Sequence, residues 1–299
     1  MSIQSIGLAT SFQEQLRALF QMTKPTISLL VIVTMVPSML ISSPGKLDLS
    51  VAFFALLGTF LASGSAGIFN QLVDSDIDEI MDRTKKRPLP SGRVDTPLVW
   101  LTAISMALLS FFILWKFATP LAALLALAAN AFYVFVYTIY LKRRTVQNIV
   151  IGGAAGSVGP MIGAAAVSGQ IDLASVLLFA IIFLWTPPHF WALAIKYRHD
   201  YARAGVPMLP SVKGVAPTVW QILLYTIILL PCVVGIFLIG AGSWLYLVPS
   251  ILLTGYFIYL AFKLWRSKEE KQAMPLFIYS CFYLFGIFGF LTIDKMLLI

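Results

Sequence analysis

Charged side chains are scarce in this chain. They make up 11% of its 299 residues, whereas a soluble domain carries roughly 25%. Hydrophobic residues make up 59%. A chain with so little charge cannot cover a water-exposed surface, so the composition excludes a soluble globular protein and predicts a polytopic membrane protein. The net charge of +8 is spread over short loops and therefore does not indicate nucleic acid binding.

Cysteine is almost absent. Cys232 and Cys281 are the two cysteines, and both lie inside apolar runs, which gives no disulfide framework and no thiolate metal site. The first residues also lack the basic start, apolar core and small-residue cleavage site of a signal peptide. We therefore expect a multi-pass protein of the bacterial inner membrane, embedded in the lipid bilayer by its own apolar runs.

Nine apolar runs each approach the roughly 20 residues that cross a bilayer as a helix. The predicted spans are 25–44, 50–69, 98–116, 119–140, 147–168, 172–195, 217–240, 243–263 and 274–293. Before them, Phe12, Leu16, Leu19 and Phe20 follow the spacing of one helix face, which predicts a short amphipathic helix in the interface. We therefore predict an amphipathic N-terminal segment, residues 1–24, and a single polytopic domain, residues 25–299.

Positive charge is unevenly distributed between the two ends of these spans. Eighteen of the 21 Lys and Arg residues fall in the N-terminal segment and in the loops 70–97, 141–146, 196–216 and 263–273. The positive-inside rule therefore predicts that the N-terminus and all of the large loops are cytoplasmic.

The middle of each predicted span lacks a charged residue. Ion-coupled transporters usually keep ionisable groups near the bilayer midplane. Here the polar residues gather at one membrane face instead. This distribution favours an enzyme that draws an apolar substrate from the bilayer over a transporter.

The stretch from Asn70 to Gly92 holds five of the thirteen acidic residues of the chain, followed at once by a basic run. Asn70, Asp74, Asp78 and Asp82 are spaced four apart, which places them along one side of a helix, with Asp76 on the opposite side. Neighbouring carboxylates repel each other, so a cation should lie between them. Hard oxygen ligands of this kind suit Mg²⁺ with a substrate phosphate. The alternative is a solvated loop at the membrane surface.

The pattern Asn70-x-x-x-Asp74-x-x-x-Asp78 resembles the first metal-diphosphate motif of the UbiA family of intramembrane prenyltransferases. The longer string from Asp74 to Gly92, DSDIDEIMDRTKKRPLPSG, resembles the branch of that family that makes haem O. The resemblance implies an all-α membrane protein with nine transmembrane helices around a central cavity opening to the cytoplasmic side. It also implies that farnesyl diphosphate and haem b are the substrates, that Mg²⁺ is the cofactor, and that haem A synthase is a partner.

The resemblance implies roles for individual residues. Asp74, Asp78 and Asn70 would hold Mg²⁺ and, with Lys142 and Tyr137, would form the catalytic set. The diphosphate would be bound by Arg83, Arg87, Lys142 and Lys196. The stretch Tyr-x-x-x-x-Lys-Arg from Tyr137 to Arg143 resembles a family element near the allylic substrate, although interfacial anchoring explains a Tyr and a Lys at a helix end equally well.

A second metal motif, Asp-x-x-x-Asp, occurs elsewhere in the family. Here Asp200 matches its second acid, which implies a metal ligand, but Lys196 stands at the first position. This departure weakens the case for two carboxylate pairs, and Lys196 would contact phosphate directly.

The sixth span ends in Trp185-Thr-Pro-Pro-His189-Phe-Trp, which resembles the same branch. The two prolines should kink or loosen this helix. His189 is a candidate axial ligand of haem, with Trp185 beside it and Arg198 and Arg203 available for the propionates. The alternative is a structural histidine that bonds a carbonyl freed by the prolines. His199 carries the same ambiguity.

Glycines keep one flank of the fifth span small, and close helix packing is their ordinary explanation. A thin helix would also leave room for a flat macrocycle. Two other functions stay open at this point. One is a UbiA-type transferase with another aromatic or tetrapyrrole acceptor. The other is a membrane transporter or haem-handling protein without catalysis.

Overall fold

A computed structural model describes residues 11–43 and 45–298 of the chain, and the regular elements in them are helices. Among these residues, nine helical segments are long and apolar enough to cross a membrane, which confirms the predicted number. The spanning helices are α2 (Pro25–Ser42), α3 (Leu49–Val73), α5 (Thr96–Phe117), α6 (Pro120–Ala131, continued by a π-helical segment, Phe132–Leu141), α7 and α8 (Asn148–Ser157 and Gly159–Ser168), α9 (Leu173–Lys196), α12 (Val215–Leu238), α13 (Trp244–Ser267) and α14 (Ala273–Leu298). The short elements are α1 (Phe12–Met22), α4 (Ser75–Ile80), α10 (Arg198–Arg203), α11 (Leu209–Val212) and a 3₁₀ turn (Glu270–Gln272).

The four short connections share one device, a polar side chain that caps the helix following the turn. Asp48, Thr119, Asp172 and Ser243 accept hydrogen bonds from free backbone amides at the starts of α3, α6, α9 and α13. Such caps satisfy amides that have no partner within the helix. Each of these connections can therefore be short. The longer loops lie at the opposite ends of the spanning helices.

Proline acts differently in the fifth and sixth spans. The fifth span is divided at Val158, between α7 and α8, and Pro160 follows two residues later. The sixth span, by contrast, runs as one helix from Leu173 to Lys196 with Pro187 and Pro188 inside it. The two prolines therefore do not interrupt the helix. The kink or loosening that the sequence predicts at these prolines stays a prediction.

Buried residues form two main apolar clusters, one in each half of the chain. The cluster of the C-terminal half joins α9, α12, α13 and α14 around large side chains such as Trp191, Tyr246 and Phe288. The cluster of the N-terminal half joins α2, α3, α5, α6 and α8. Many large apolar side chains on the outer helix faces are exposed, Phe112 and Leu252 among them. This exposure is expected for faces that contact lipid.

The predicted N-terminal helix is present as α1. Ser11 and Glu14 form a capping box at its start. Leu19 is buried against α3 and α5, whereas Phe12 and Phe20 stay exposed. Part of the apolar face of α1 therefore packs against the protein, and the rest is exposed on the surface. Residues 1–10 of the predicted segment lie outside the described residues.

Candidate active site

The last turn of α3 and the short helix α4 bring three predicted site residues together. The hydrogen-bond ladder continues past the end of α3, with Asp74 N bonded to Asn70 O at 3.0 Å and Asp78 N to Asp74 O at 2.8 Å. Asn70 Nδ2 donates to Asp74 Oδ2 at 2.6 Å. Asn70, Asp74 and Asp78 are all buried, at 4%, 0% and 2% exposure. Spacing of four therefore does place them on one inward side.

Asp82 does not continue this row, which is a correction to the predicted series of four. The helix α4 ends at Ile80, so the next turn does not carry the periodicity forward. Asp82 is instead exposed and pairs with Lys85 and Arg203. Hydrogen bonds from these two cations lower the pKa of Asp82 to about 2.

Two of the predicted diphosphate-binding cations neutralise the buried carboxylates. Lys142 Nζ lies 2.5 Å from Asp74 Oδ2, and Arg87 Nη1 contacts both carboxylate oxygens of Asp78 at 2.7 and 2.9 Å. Charges buried in a low dielectric are costly unless they are paired in this way. Asp78 of the acidic half and Arg87 of the basic half of the Asn70–Gly92 stretch therefore belong to one cluster.

Lys24 belongs to the same cluster, and the sequence reasoning missed it. Its Nζ donates to Asn70 Oδ1 at 2.7 Å. Burial, together with the positive charges of Arg87 and Lys142, lowers the pKa of the Lys24 amine to about 7. Its backbone has a φ of +50°, a left-handed conformation that is costly outside glycine. The signal in the sequence was weak, a single lysine before the proline that starts the first span.

One oxygen of the cluster lacks a hydrogen-bond partner among the described residues, namely Asp74 Oδ1. A buried unpaired carboxylate oxygen is costly, and a cation would satisfy it. The described residues contain no group of three or more His, Cys, Asp or Glu side chains able to hold a metal ion. Any metal here would therefore be held by one or two carboxylates, an amide oxygen and a ligand brought by the substrate.

Asp76 and Arg143 form an ion pair outside the cluster. Both nitrogens of the Arg143 fork bond Asp76 at 2.7 Å, and the Asp76 side chain is 62% exposed. The guanidinium lowers the pKa of Asp76. Asp76 thus points away from Asn70, Asp74 and Asp78, as its place on the opposite helix side predicted.

The other predicted phosphate and metal ligands, Arg83, Lys196 and Asp200, lie outside the buried cluster. Arg83 Nη2 lies 3.5 Å from the Tyr201 hydroxyl, and the Lys196 amine lies over the ring of Tyr197. Asp200 is paired with Arg203, which also bonds Asp82 at 2.7 Å. The structure therefore does not join Asp200 to Asp74 and Asp78 in one carboxylate group, and its role as a metal ligand stays a prediction.

Two apolar cavities lie in the helix bundle beside this cluster, and one of them reaches the cluster through Lys24. The α3 cavity, of about 110 Å³, is lined by Lys24, by Thr59, Ala62, Ser63, Ala66 and Gly67 of α3, and by residues of α2, α6, the π-helical segment, α7 and α8. The α9 cavity, of about 200 Å³, is lined by glycines of α7 and by Trp185, Thr186 and Phe190 of α9. Ile27, Val31, Tyr133 and Gly156 line both cavities.

Tyr137 is buried in the π-helical segment and lines the α9 cavity. A Cβ atom built on Gly152 would lie 2.1 Å from its ring. Close packing therefore explains Gly152, as the sequence suggested. The same construction at Gly156 meets no described atom within 4 Å, so this glycine faces open space in the cavities.

Of the residues predicted to bind haem, Trp185 lines the described wall of the α9 cavity and His189 does not. Trp185 lines the α9 cavity and donates from Nε1 to Ser280 O at 2.8 Å. His189 is stacked between Trp185 and Phe277, and its Nδ1 lies 2.7 Å from Ser280 Oγ. It is absent from the described lining of the cavity. These contacts favour the structural alternative, with a serine hydroxyl as the partner instead of a carbonyl freed by proline.

Arg198 and Arg203, the predicted propionate partners, are engaged with acidic residues on the loops. Arg198 pairs with Glu270, and Arg203 pairs with Asp82 and Asp200. Neither lines the described wall of the α9 cavity. Their roles in haem binding stay predictions.

Comparison with known proteins identifies the family. The profile of the UbiA prenyltransferase family matches residues 30–287. The chain is 43% identical over 294 residues to a protoheme IX farnesyltransferase of Thioalkalivibrio sulfidiphilus, covering 98% of this chain and 97% of that protein. It is 44% identical to a protoheme IX farnesyltransferase of Gloeobacter violaceus, covering 93% and 92% of the two chains.

Solved structures share the fold at low sequence identity. One, from work on digeranylgeranylglyceryl phosphate synthase, superimposes with a TM-score of 0.79 at 17% identity, covering 95% of this chain and 99% of the other. A UbiA homologue from Archaeoglobus fulgidus bound to DMAPP and Mg²⁺ gives a TM-score of 0.67 at 16% identity, covering 92% and 99%. The fold agrees with the extensive match to the family profile, and the chain belongs to the UbiA prenyltransferase family.

Proposed function

We propose that this protein transfers the farnesyl group of farnesyl diphosphate to a vinyl group of haem b and that water adds to the resulting cation, giving haem O. The observation that carries this proposal is the likeness to protoheme IX farnesyltransferases over almost the whole chain, at 43–44% identity. The buried cluster of Asp74, Asp78 and Lys142 beside two apolar cavities supports it. A charged head group and two apolar ligands require such an arrangement.

The acidic part of the cluster fits Mg²⁺. Asp74 and Asp78 offer hard oxygen ligands, Asp74 Oδ1 has no partner among the described residues, and Asn70 adds an amide oxygen. Mg²⁺ is usually held by one or two carboxylates together with substrate phosphates. When bound, it would supply positive charge to the leaving diphosphate. The UbiA homologue from Archaeoglobus fulgidus with DMAPP and Mg²⁺ supports this assignment.

The basic side chains provide the remaining charge for the diphosphate. Lys142 and Arg87 pair with Asp74 and Asp78 in the present arrangement. We expect these two cations to turn their donors to the diphosphate oxygens when substrate enters. Arg's planar fork suits a phosphate as well as a carboxylate. Arg83 and Lys196, nearer the rim, would add charge at the outer side of the head group.

The reaction breaks the C1–O bond of farnesyl diphosphate, the π bond of the vinyl group and one O–H bond of water, and it forms one C–C bond and one C–O bond. The C1–O bond of farnesyl diphosphate breaks and diphosphate leaves with the electron pair. The terminal vinyl carbon of haem b attacks the allylic carbon, which places the positive charge on the neighbouring carbon of the former vinyl group. Water adds there and loses a proton, which gives the hydroxyethyl substituent.

The protein's part is to position the reactants and to control access of water. The cavity walls hold the two apolar partners side by side, and this orientation accounts for much of the rate. Tyr137 and Tyr133 present aromatic rings to the space where the allylic cation forms. The electron-rich faces of such rings stabilise a cation. Trp185 would contact the macrocycle.

The cavities would open to the cytoplasmic side of a bacterial inner membrane. The cations of the large loops support this orientation through the positive-inside rule. Residues 25–299 would act as a single polytopic domain behind the N-terminal segment. The product, haem O, would pass to a partner such as haem A synthase, and co-purification of the two proteins would test that association.

Turnover by purified protein tests the proposed function. Protein in detergent is supplied with haem b, labelled farnesyl diphosphate and Mg²⁺, and haem O is identified by its mass and its retained label. Incorporation into an aromatic acid or another tetrapyrrole, but not into haem b, would instead identify a different acceptor. Binding of haem without incorporation of label would support a non-catalytic haem-handling protein.

A further inference from the structure

We infer that the α3 cavity holds the farnesyl tail, and that Thr59, Ala126 and Ile162 at its inner end restrict that tail to three isoprene units. The α9 cavity then receives the tetrapyrrole. This inference rests on the function proposed above and adds the position of each substrate and the residues that select prenyl length.

The polar end of the α3 cavity coincides with the proposed site of the diphosphate. Lys24 lines this cavity, and its amine donates to Asn70, which in turn bonds Asp74. The described lining of the α9 cavity consists of uncharged side chains. A prenyl diphosphate has its charged head and its apolar tail on one molecule, so the tail must leave directly from the head. The α3 cavity is the one that begins there.

The length of the α3 cavity follows one face of α3. Gly67, Ser63 and Thr59 are spaced four apart and line the cavity in succession. At about 1.5 Å per residue, the eleven steps from Asn70 to Thr59 correspond to roughly 16 Å of helix. A tail that starts beside Asn70 therefore has a limited depth available to it.

The inner end is closed by tight packing. Thr59, Ala126 and Ile162 are buried, at 2%, 2% and 3% exposure. Just beyond Thr59, a Cβ built on Gly58 would lie 2.6 Å from the Leu114 side chain. In α8, next to Ile162, a Cβ built on Gly163 would lie 3.0 Å from the backbone oxygen of Met35. A longer tail could pass this point only by displacing packed helices.

The α9 cavity suits a flat ligand. Its volume of about 200 Å³ exceeds the volume of the α3 cavity, which is about 110 Å³. The rings of Trp185 and Phe190 stand on one wall, and Gly152 and Gly153 provide a thin helix surface on another. Ile27, one helical turn from Lys24, lines both cavities. The two ligands would therefore meet near the head-group end, where the allylic carbon lies.

A matched pair of Thr-to-Phe substitutions tests the inference. Thr59→Phe fills the inner end of the α3 cavity, so the kcat/KM ratio of geranyl to farnesyl diphosphate should rise by about tenfold or more, because misfitting apolar groups change selectivity by about this factor. The KM for haem b should stay within about twofold, since the α9 cavity is untouched. Thr186→Phe, which places the same bulk in the α9 cavity, should raise the KM for haem b and leave the length ratio unchanged.

A third variant tests the same end of the cavity in the opposite direction. Ile162→Ala should admit geranylgeranyl diphosphate as a substrate with haem b. If Thr59→Phe does not elute as a monodisperse protein, the result with Ile162→Ala alone tests whether the inner end of the α3 cavity limits the length of the tail. Unchanged length preference in Thr59→Phe, or in Ile162→Ala when the first variant does not fold, would overturn the inference. A length shift caused by Thr186→Phe would overturn it as well.

Failure of the proposed function has a separate signature. A wild-type protein that binds farnesyl diphosphate but transfers nothing to haem b would refute the proposed function. Direct binding of labelled geranyl and farnesyl diphosphates to the wild type and to Thr59→Phe would then still test the tail position. A selective loss of farnesyl diphosphate binding in the variant supports the position, and an equal affinity for both ligands refutes it.

Discussion

The two buried carboxylates and the exposed one nearby make a controlled comparison. Asp74→Asn and Asp78→Asn should each reduce turnover by about 10²–10³, the usual effect of losing an electrostatic contact in such a site. Asp76→Asn should have a small effect, because its side chain is 62% exposed and pairs with Arg143 outside the cluster. Rates with purified protein and saturating haem b measure this difference. Greater sensitivity of Asp76 would contradict the proposed metal site.

The cations should affect the diphosphate more than the haem. Arg83→Ala, Arg87→Ala and Lys142→Ala are each expected to raise the KM for farnesyl diphosphate while changing the KM for haem b little. Arg87→Lys should also be impaired, because a lysine cannot reproduce the two contacts that Arg87 makes with Asp78. Arg143→Ala, which removes the exposed ion pair, is the control. Unchanged diphosphate affinity in all three alanine variants would assign these cations to topology alone.

His189 tests a choice that the sequence left open. Its contacts with Ser280, Trp185 and Phe277 support a structural role. His189→Ala should therefore lower thermal stability, as should Ser280→Ala to a smaller extent, without shifting the Soret band of bound haem. A Soret shift in His189→Ala, absent in Ser280→Ala, would restore the role of axial ligand.

At the scale of the helix, α7 offers two glycines with opposite surroundings. A Cβ on Gly152 would clash with the ring of Tyr137, whereas a Cβ on Gly156 meets no described atom within 4 Å. Gly152→Ala should therefore destabilise the protein by about 1–3 kcal/mol, the usual cost of overpacking. Gly156→Ala should leave thermal stability nearly unchanged. Melting in detergent measures both, and equal melting temperatures would mean that the two helices adjust without strain.

The second half of the fourth span, Phe132–Leu141, is π-helical, and the sequence analysis did not predict this. Lys142 N bonds Tyr137 O, five residues earlier, where an α-helix would bond four residues back. The wider turn changes the direction of side chains near the helix end. π-helical turns often occur at functional sites. Here the segment ends at Leu141, directly before Lys142, which pairs with Asp74.

For the whole molecule, the distribution of cations predicts the orientation. Reporter fusions at residues 85, 143, 205 and 268 should all be cytoplasmic, because they lie in the loops that hold most of the Lys and Arg residues. Fusions at residues 46 and 118, in short connections of the opposite face, are the control. A periplasmic signal at 85 or 205 would contradict the proposed cytoplasmic mouth.

Much of the fold follows from the sequence because its cause is local. Runs of about 20 apolar residues must form helices in lipid, where every backbone amide needs a partner within the segment. The nine spans therefore agree with the structure to within a few residues at most ends. Spacing of four likewise placed Asn70, Asp74 and Asp78 together, because α3 and α4 keep a continuous ladder through Asp74.

Only the tertiary structure decided which residues meet across the bundle. Lys24 joins Asn70 although 46 residues separate them, and His189 bonds Ser280 across 91 residues. No spacing rule encodes such pairs, because they depend on how helices from distant parts of the chain pack. The row of carboxylates ended at Asp78 for a related reason, since α4 stops and Asp82 turns outward to Arg203. The sequence by itself determined the helices, the cation bias and the acidic motif, whereas packing determined the two cavities and the partners of each charge.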